Sequence, residues 1–114
     1  MAKYLVRSLE EAAEVISSQQ GESIRIITYK DTPAINIHVS HILDSMKHYH
    51  KQSTEVYYIL EGKGTMEIDD EHVKLKPGMT LLISPGVRHR AYGDFRTVIA
   101  AAPAQTPEDL YSDK

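Results

Sequence analysis

The sequence predicts a single all-β domain, an antiparallel sandwich or barrel, with one short helix at its start. From residue 24 to residue 102, apolar and polar residues alternate with a period of two, which is typical of half-buried β-strands. Turn-forming residues separate about eight such runs, and no helical period lies between them. A chain of 114 residues supports one core, because two domains would each be too small to bury enough surface.

The predicted α-helix lies in residues 1–23. Ser8 followed by Glu11 forms a capping box, and Gly21 would end the helix. Between them, apolar residues recur at the spacing of one helical face: Leu9, Ala12, Ala13 and Ile16. We therefore expect an amphipathic helix that precedes the sheet.

Strand patterns begin with SIRIITY and continue in residues 35–40, where isoleucine and valine alternate with polar residues. The later runs are VYYIL (56–60), GTMEI (64–68), HVKLK (72–76), TLLIS (80–84), VRHRAY (87–92) and FRTVIAAA (95–102). Glycine, proline and aspartate predict turns between them, at residues 62–64, 69–70, 77–78, 85–86 and 93–94. Residues 24–102 are thus assigned to a β-barrel. Residues 103–114 form a polar tail, for which we expect a mobile terminus or an arm laid on a neighbour.

Composition excludes several classes of function. The chain has 13 basic and 16 acidic residues, so it lacks the basic field that holds nucleic acid by its phosphates. No apolar run approaches the roughly 20 residues that span a bilayer, and the first residues lack the apolar core of a signal peptide. We expect a cytoplasmic protein that binds neither nucleic acid nor membrane. With six histidines and no cysteine, any metal or catalytic chemistry must use nitrogen and oxygen groups.

The first chemical signal is the pair His48 and His50. At i and i+2 on a strand both imidazoles lie on one face, with Cα atoms about 6 to 7 Å apart, so two nitrogens can converge on one ion. Glu55 lies close by in the sequence and adds an anionic oxygen. Two histidines at this spacing often occur by chance, so the pair alone is weak evidence for a metal site.

The wider pattern resembles the two-part signature of the cupin superfamily. Residues 48–62 read H-x-H-x4-E-x6-G, and residues 78–89 contain a glycine that opens a strand, a proline-glycine turn and a third histidine. The resemblance implies a double-stranded β-helix, or jelly-roll barrel, that holds one divalent transition metal ion. The ligands that it implies are His48, His50, Glu55 and His89. Three imidazoles and a carboxylate suit Mn, Fe, Ni, Co, Cu and Zn alike, so the sequence leaves the metal open.

Strand alternation selects two candidate catalytic residues, Tyr57 and His38. Tyr57 shares a face with Glu55, and it could either act beside the metal or only pack at the cavity rim. His38 alternates with apolar neighbours, and between a cavity-wall and a solvent-facing position we favour the solvent-facing one. The same alternation turns Arg88 and Arg90 outward.

Two functions from different classes follow from the resemblance. The first is an enzyme of the dioxygenase, isomerase or lyase type, in which the metal is a Lewis acid or an oxygen-activating centre for a small polar metabolite. The second is a non-catalytic module that uses the metal to bind a sugar or a carboxylate. Small cupins commonly pair through their sheet edges, so the resemblance also implies a homodimer.

Overall fold

Seven β-strands and two three-residue 3-10 helices make up the chain in the computed structural model, which describes residues 3–113. The strands are β1 (Glu14–Ser18), β2 (Gly21–Ile27), β3 (Asn36–Asp44), β4 (Thr54–Ile68), β5 (Glu71–Leu75), β6 (Thr80–Ile83) and β7 (His89–Ala102). The short helices are Leu9–Glu11 and Pro107–Asp109, and no helix within residues 3–113 is long enough to cross a membrane. The predicted all-β class is confirmed.

The predicted N-terminal α-helix is wrong beyond its first turn. The capping box closes a single 3-10 turn, in which Glu11 accepts hydrogen bonds from the Ser8 backbone N–H at 3.3 Å and the Ser8 hydroxyl at 2.7 Å. The chain then extends into β1, which pairs antiparallel with β2. Helix nucleation is costly, whereas the β-branched Val15 and Ile16 favour a strand and β2 offers backbone partners. The sheet therefore begins ahead of the predicted barrel boundary at residue 24.

The long strands β4 and β7 organise the sheet, whose order is β1-β2-β3-β7-β4. They pair antiparallel along residues 54–68 and 89–102. The other edge of β4 pairs with β6 along its first half and with β5 along its second half. The two long strands thereby pass from one face of the jelly roll to the other.

Two of the predicted turns, at residues 62–64 and 93–94, lie inside these long strands and reverse no chain direction. Gly62 and Gly93 have φ angles of +93° and +134°, which bend the strands without ending the pairing. Gly93 lies opposite Gly64, and a Cβ on Gly93 would come within 2.6 Å of the Gly64 Cα. These glycines therefore allow the two strands to approach each other closely. The sequence pattern does not distinguish a glycine with this role from a glycine in a turn.

The hydrophobic core lies between the inward faces of the strands. It contains Ile42, Tyr57, Ile59, Met66, Leu75, Leu81, Ile83, Ala91, Phe95 and Ile99. Three of these residues, Ile42, Tyr57 and Ile99, also line a cavity of about 960 Å³. The core thus forms the floor of this cavity.

The C-terminal segment, residues 103–113, lies against the barrel of the same chain, in contrast to the expected mobile terminus or arm on a neighbour. Asp109 is buried, and its carboxylate accepts hydrogen bonds from the backbone N–H groups of Lys51, Gln52 and Ser53. The backbone of Tyr111 exchanges two hydrogen bonds with Tyr49, each of 3.0 Å. These contacts satisfy backbone donors of the 51–53 loop that no strand pairs, which fixes the segment in place.

Candidate metal centre

Three elements bring the predicted ligands together. His48 and His50 lie in the extended connection between β3 and β4, Glu55 lies on β4, and His89 begins β7. The backbone N–H groups of His48 and His89 donate to each other's carbonyl at 3.0 and 2.9 Å, which fixes the connection beside β7. Because the segment is extended, the side chains of His48 and His50 point to the same side.

The four side chains form one compact cluster that could hold a metal ion. Each offers one donor atom, and these atoms all lie within 4.8 Å of one another: His48, His50, Glu55 and His89. The Glu55 Oε1 atom lies 2.9 Å from His89 Nε2 and 3.4 Å from His50 Nε2. Glu55 and His89 are only 3% and 1% exposed. Burial of a carboxylate among imidazoles is costly unless a metal ion or a proton is shared between them.

The outer nitrogen of every imidazole is held by a backbone carbonyl. The Nδ1 atoms of His48, His50 and His89 lie 2.8, 2.6 and 2.9 Å from the carbonyl oxygens of residues 46, 109 and 87, respectively. A carbonyl only accepts, so each Nδ1 must carry the proton. The Nε2 lone pairs are thereby directed at the centre of the cluster, which is the tautomer that a metal ligand needs.

Two buried acceptors at the centre of the cluster have no hydrogen-bond partner among the described residues: Glu55 Oε1 and His89 Nε2. They face each other at 2.9 Å, and an Nε2 lone pair cannot donate to a carboxylate. Leaving such groups unsatisfied costs about 1 to 3 kcal/mol each. A divalent cation bound between them would satisfy both, so the residues fit a metal.

The electrostatics of the cluster favour an ionised carboxylate. Burial raises the pKa of Glu55, but the adjacent His50 and His89 outweigh it and hold the pKa well below its usual range. Burial lowers the pKa of His50, yet Glu55 and Asp109 raise it by more. For His48, burial and then the neighbouring His89 lower the pKa. The cluster therefore supplies one anionic oxygen and imidazoles that a cation can share.

Both candidate catalytic residues line the cavity beside the cluster. Tyr57 is buried with its ring centroid 6.4 Å from that of His89, and burial followed by the charge of Glu55 raises its pKa well above 10. His38 lies on the inward face of β3, between the buried Asn36 and Ser40, so the favoured solvent-facing position is wrong and the cavity-wall alternative is right. Burial, and then Arg25, lower the pKa of His38 to about 4, so the ring is neutral near pH 7.

The remaining histidines and the two arginines lie apart from the cluster. His41 Nε2 lies 2.6 Å from Asp94, and the exposed His72 lies 3.5 Å from Glu67. Arg88 stacks on the ring of Tyr49 with its Cζ 3.6 Å from the centroid, and pairs with Asp113. Arg90 pairs with Asp44 at 2.6 Å. The outward orientation predicted for both arginines agrees with these contacts.

Asp109 is the residue of the site that sequence reasoning missed. Its backbone carbonyl holds His50, while its carboxylate holds the loop that follows His50. The sequence around it, TPEDL, shows only a proline and two acidic residues in a polar tail. No local signal connects this segment with a loop 58 residues earlier, so only the folded chain reveals the role.

A family model for the cupin domain matches residues 43–98, which contain all four residues of the cluster. The chain belongs to the cupin superfamily. The resemblance to the cupin superfamily that the two sequence motifs indicated is thereby confirmed.

Two curated relatives of this cupin bear the name uncharacterized protein. One, from Methanocaldococcus jannaschii, is 44% identical over 46 residues, which are 40% of this chain and 37% of the relative. The other, from Aquifex aeolicus, is 28% identical over 92 residues, 78% of this chain and 76% of the relative. The first match therefore spans well under half the length of either protein.

Solved structures share the fold along almost the whole cupin chain. A protein from Planctomyces limnophilus is 24% identical with a TM-score of 0.86, over 97% of this chain and 98% of its own. The nucleoside dehydratase Pac13 of Streptomyces is 18% identical with a TM-score of 0.86, over 99% and 92%. Ectoine synthase from P. lautus is 23% identical with a TM-score of 0.79, over 95% and 88%. At these identities the likeness concerns the fold.

Proposed function

We propose that this cupin is an enzyme that uses one divalent transition metal ion to transform a small polar metabolite, by a dioxygenase, isomerase or lyase type of reaction. The observation that carries the proposal is the set of three imidazoles with carbonyl-anchored Nδ1 atoms around a buried, ionised carboxylate. The fold neighbours Pac13 and ectoine synthase are enzymes, which supports the same class of function.

The proposed metal ligands are the four residues of the cluster: His48, His50, Glu55 and His89. A bound Mn, Fe, Ni, Co, Cu or Zn ion would supply a Lewis acid or an oxygen-activating centre. Tyr57 keeps its proton at neutral pH and can donate a hydrogen bond to a substrate oxygen. His38 is neutral near pH 7 and can take a proton from the substrate.

Elemental analysis tests the metal site. Protein purified without chelator is expected to hold close to one equivalent of a transition metal, and His50→Ala is expected to lose most of it. His72→Ala, which removes an exposed histidine outside the cluster, is the matched control and keeps the metal. Less than about a tenth of an equivalent in the wild type, unchanged by His50→Ala, would contradict the proposal.

A non-catalytic binding module is the second candidate, because strand alternation selects few inward groups that can transfer a proton. Besides the cluster itself, Tyr57 and His38 are the candidates that alternation selects on its walls. Screening metabolites for turnover with the wild type, Tyr57→Phe and His38→Ala separates the two functions. An enzyme is supported if the wild type turns over a metabolite and either variant loses this turnover while it retains the metal. Sugars or carboxylates that raise the melting temperature without any turnover favour the module.

We also propose a homodimer in the cytoplasm. The outer surface near the start of β4 exposes Tyr58, Leu60 and Leu82, which alternate with inward residues and so point away from the core. A second copy would cover this apolar surface. Sedimentation velocity should give a dimer for the wild type and a monomer for Leu82→Lys. A monomeric wild type would contradict the dimer.

A further inference from the structure

One row of side chains crosses the cavity wall from the metal cluster to β2. In the strand register, Tyr57 of β4 lies opposite Ile99 of β7, Ile99 opposite His38 of β3, and His38 opposite Arg25 of β2. Directly opposed residues of antiparallel strands share a face. All four line the cavity, and Tyr57 is two residues from Glu55, so the row connects the cluster with the guanidinium of Arg25.

The hydrogen-bonding capacity of Arg25 is largely unused. Its Nη1 atom lies 3.4 Å from Glu14, which is long for a charge-assisted bond, and Glu14 is more than half exposed. Its Nε atom is buried and has no partner among the described residues. The side-chain nitrogen of Gln105, which also lines the cavity, is likewise buried without a partner. Unpaired donors of this kind are costly unless a ligand satisfies them.

Positive charge at the two ends of this row also favours an anionic ligand. A divalent ion held by neutral imidazoles and the one carboxylate of Glu55 leaves a net positive centre. Arg25 adds a second positive charge at the far end of the row, and the ring of His38 between them is neutral. A ligand with anionic groups at both ends would neutralise both centres.

We propose that Arg25, together with Gln105, forms a carboxylate-binding subsite that holds the far end of the substrate while its other end reaches the metal cluster. The inference rests on the proposed function and adds the substrate class, a metabolite with a carboxylate at each end or a carboxylate and a metal-binding oxygen. A planar carboxylate matches the fork of a guanidinium and can accept two parallel hydrogen bonds.

The distance along the row sets the size of the ligand. Arg25 lies three strands from Tyr57, which at about 4.8 Å per strand is roughly 14 Å along the curved sheet. Because the sheet curves and the Arg25 side chain extends into the cavity, the gap that a ligand must span is shorter than this. The subsite therefore selects one chain length among dicarboxylates, because a shorter ligand reaches only one of the two positive centres.

Calorimetric titration of Co²⁺-loaded protein with acetate, malonate, succinate, glutarate and adipate tests the subsite. The wild type is expected to bind one dicarboxylate best, and Arg25→Gln to bind that ligand at least about tenfold more weakly. Acetate, which needs only the metal, should bind both proteins alike. Glu14→Gln, which frees the guanidinium, should tighten the binding of the best dicarboxylate.

Lys30→Gln is the matched control, because it removes an exposed positive charge at the cavity rim. Equal binding of the best dicarboxylate by wild type and Arg25→Gln, or an equal loss in Lys30→Gln, would overturn the subsite. Tighter binding of 3-phosphonopropionate than of succinate through Arg25 would overturn the assignment of a carboxylate.

Measured metal content separates this inference from the proposed function. If the wild type takes up no metal, the proposed function fails, and the same titrations of the metal-free protein still decide the subsite. Dicarboxylate binding that depends on Arg25 would then support it, and binding that is equal in Arg25→Gln would overturn it.

Discussion

At the scale of single residues, the candidate metal centre depends on the proton carried by each imidazole. Backbone carbonyls of residues 46, 87 and 109 accept from the three Nδ1 atoms and leave the Nε2 lone pairs directed into the cluster. Met46 adopts a left-handed φ of +61°, and its N–H donates to Asp44 while its carbonyl accepts from His48. Such a conformation in a non-glycine residue is kept where the surroundings require it. Backbone hydrogen bonds thus hold the imidazoles in the orientation that a bound cation would need.

Glu55→Gln separates metal binding from folding. The amide has the shape of the carboxylate, but its N–H can donate to the unpaired His89 Nε2 atom. We expect the unfolding free energy of the metal-free variant to stay within about 1 kcal/mol of the wild type. Metal affinity should fall at least about 100-fold, because the anionic ligand is lost. Calorimetry with Zn²⁺ and urea unfolding measure the two quantities.

Glu67→Gln is the control for this substitution, since Glu67 lies beside the exposed His72 outside the cluster. It should leave the Zn²⁺ affinity unchanged. If Glu55→Gln bound Zn²⁺ as tightly as the wild type, Glu55 would not be a metal ligand.

The cluster itself could be predicted from the sequence, but the groups that orient it could not. Histidine and glutamate spacing is a local pattern that strand geometry converts into a shared face, as for His48 and His50. The carbonyl of Asp109 and the guanidinium of Arg25, whose Nε atom has no partner among the described residues, come from distant segments of the chain. Their approach depends on how the tail and β2 pack, which no periodicity records.

At the scale of elements, β4 and β7 carry both the core and the site. Each holds part of the cluster on its inward face. Glu55 lies opposite Ala101 and His89 opposite Ile68, at the two ends of the paired strands, and the curvature of the strands brings the two side chains to 2.9 Å. The sequence predicts each half of these strands from its alternation. It cannot predict that the halves join, because glycine at a bend in a strand and glycine in a turn look alike in sequence.

Gly93→Ala tests the close approach of these strands. At a φ of +134°, with a Cβ that would lie 2.6 Å from the Gly64 Cα, alanine forces the two strands apart. We expect a loss of at least about 3 kcal/mol in unfolding free energy, measured by urea denaturation. Gly78→Ala is the matched control, because its φ is +91° but nothing lies within 4 Å of the added Cβ. It should cost only about 1 kcal/mol, and equal losses in both variants would argue against steric contact as the cause.

The C-terminal segment acts as a structural element of the site. Asp109→Ala removes a buried carboxylate that accepts from three backbone N–H groups and displaces the carbonyl that holds His50. We expect a loss of about 2 to 3 kcal/mol in unfolding free energy and metal binding about 10 to 100-fold weaker. Urea unfolding and Zn²⁺ calorimetry measure these effects.

Glu108→Ala, at the exposed neighbouring position, is the control for the tail and should change neither quantity. A Co²⁺ absorption spectrum that is identical in wild type and Asp109→Ala would show that the carbonyl does not position His50.

At the scale of the whole molecule, the barrel divides into an apolar floor and a polar wall. The floor combines Ile42 and Ile99 with the core, while the wall extends from the metal cluster past His38 to Arg25. The all-β class could be predicted because alternation is a local consequence of one buried face. The extent of the N-terminal helix could not be predicted from the sequence, because strand pairing with β2 outweighs the local capping signal of Ser8 and Glu11.

The polar wall makes the stability of the molecule depend on pH through His38. Its folded pKa of about 4 lies below the ordinary value of 6.5, because burial and Arg25 disfavour the charged ring. The neutral ring is fully tolerated above pH 6.5, and stability falls as the pH decreases from 6.5 toward 4, since unfolding lets the ring take up a proton. The loss of unfolding free energy is at most about 3 kcal/mol, and partial exposure of the ring makes it smaller than this limit.

Urea unfolding of metal-free wild type and His38→Gln between pH 7 and 4 measures this effect. The variant should lose less unfolding free energy than the wild type, whereas the exposed His72→Gln should follow the wild type. Parallel profiles for wild type and His38→Gln would mean that the wall is hydrated enough to accept the charge, and that His38 is free to act as a general acid near neutral pH.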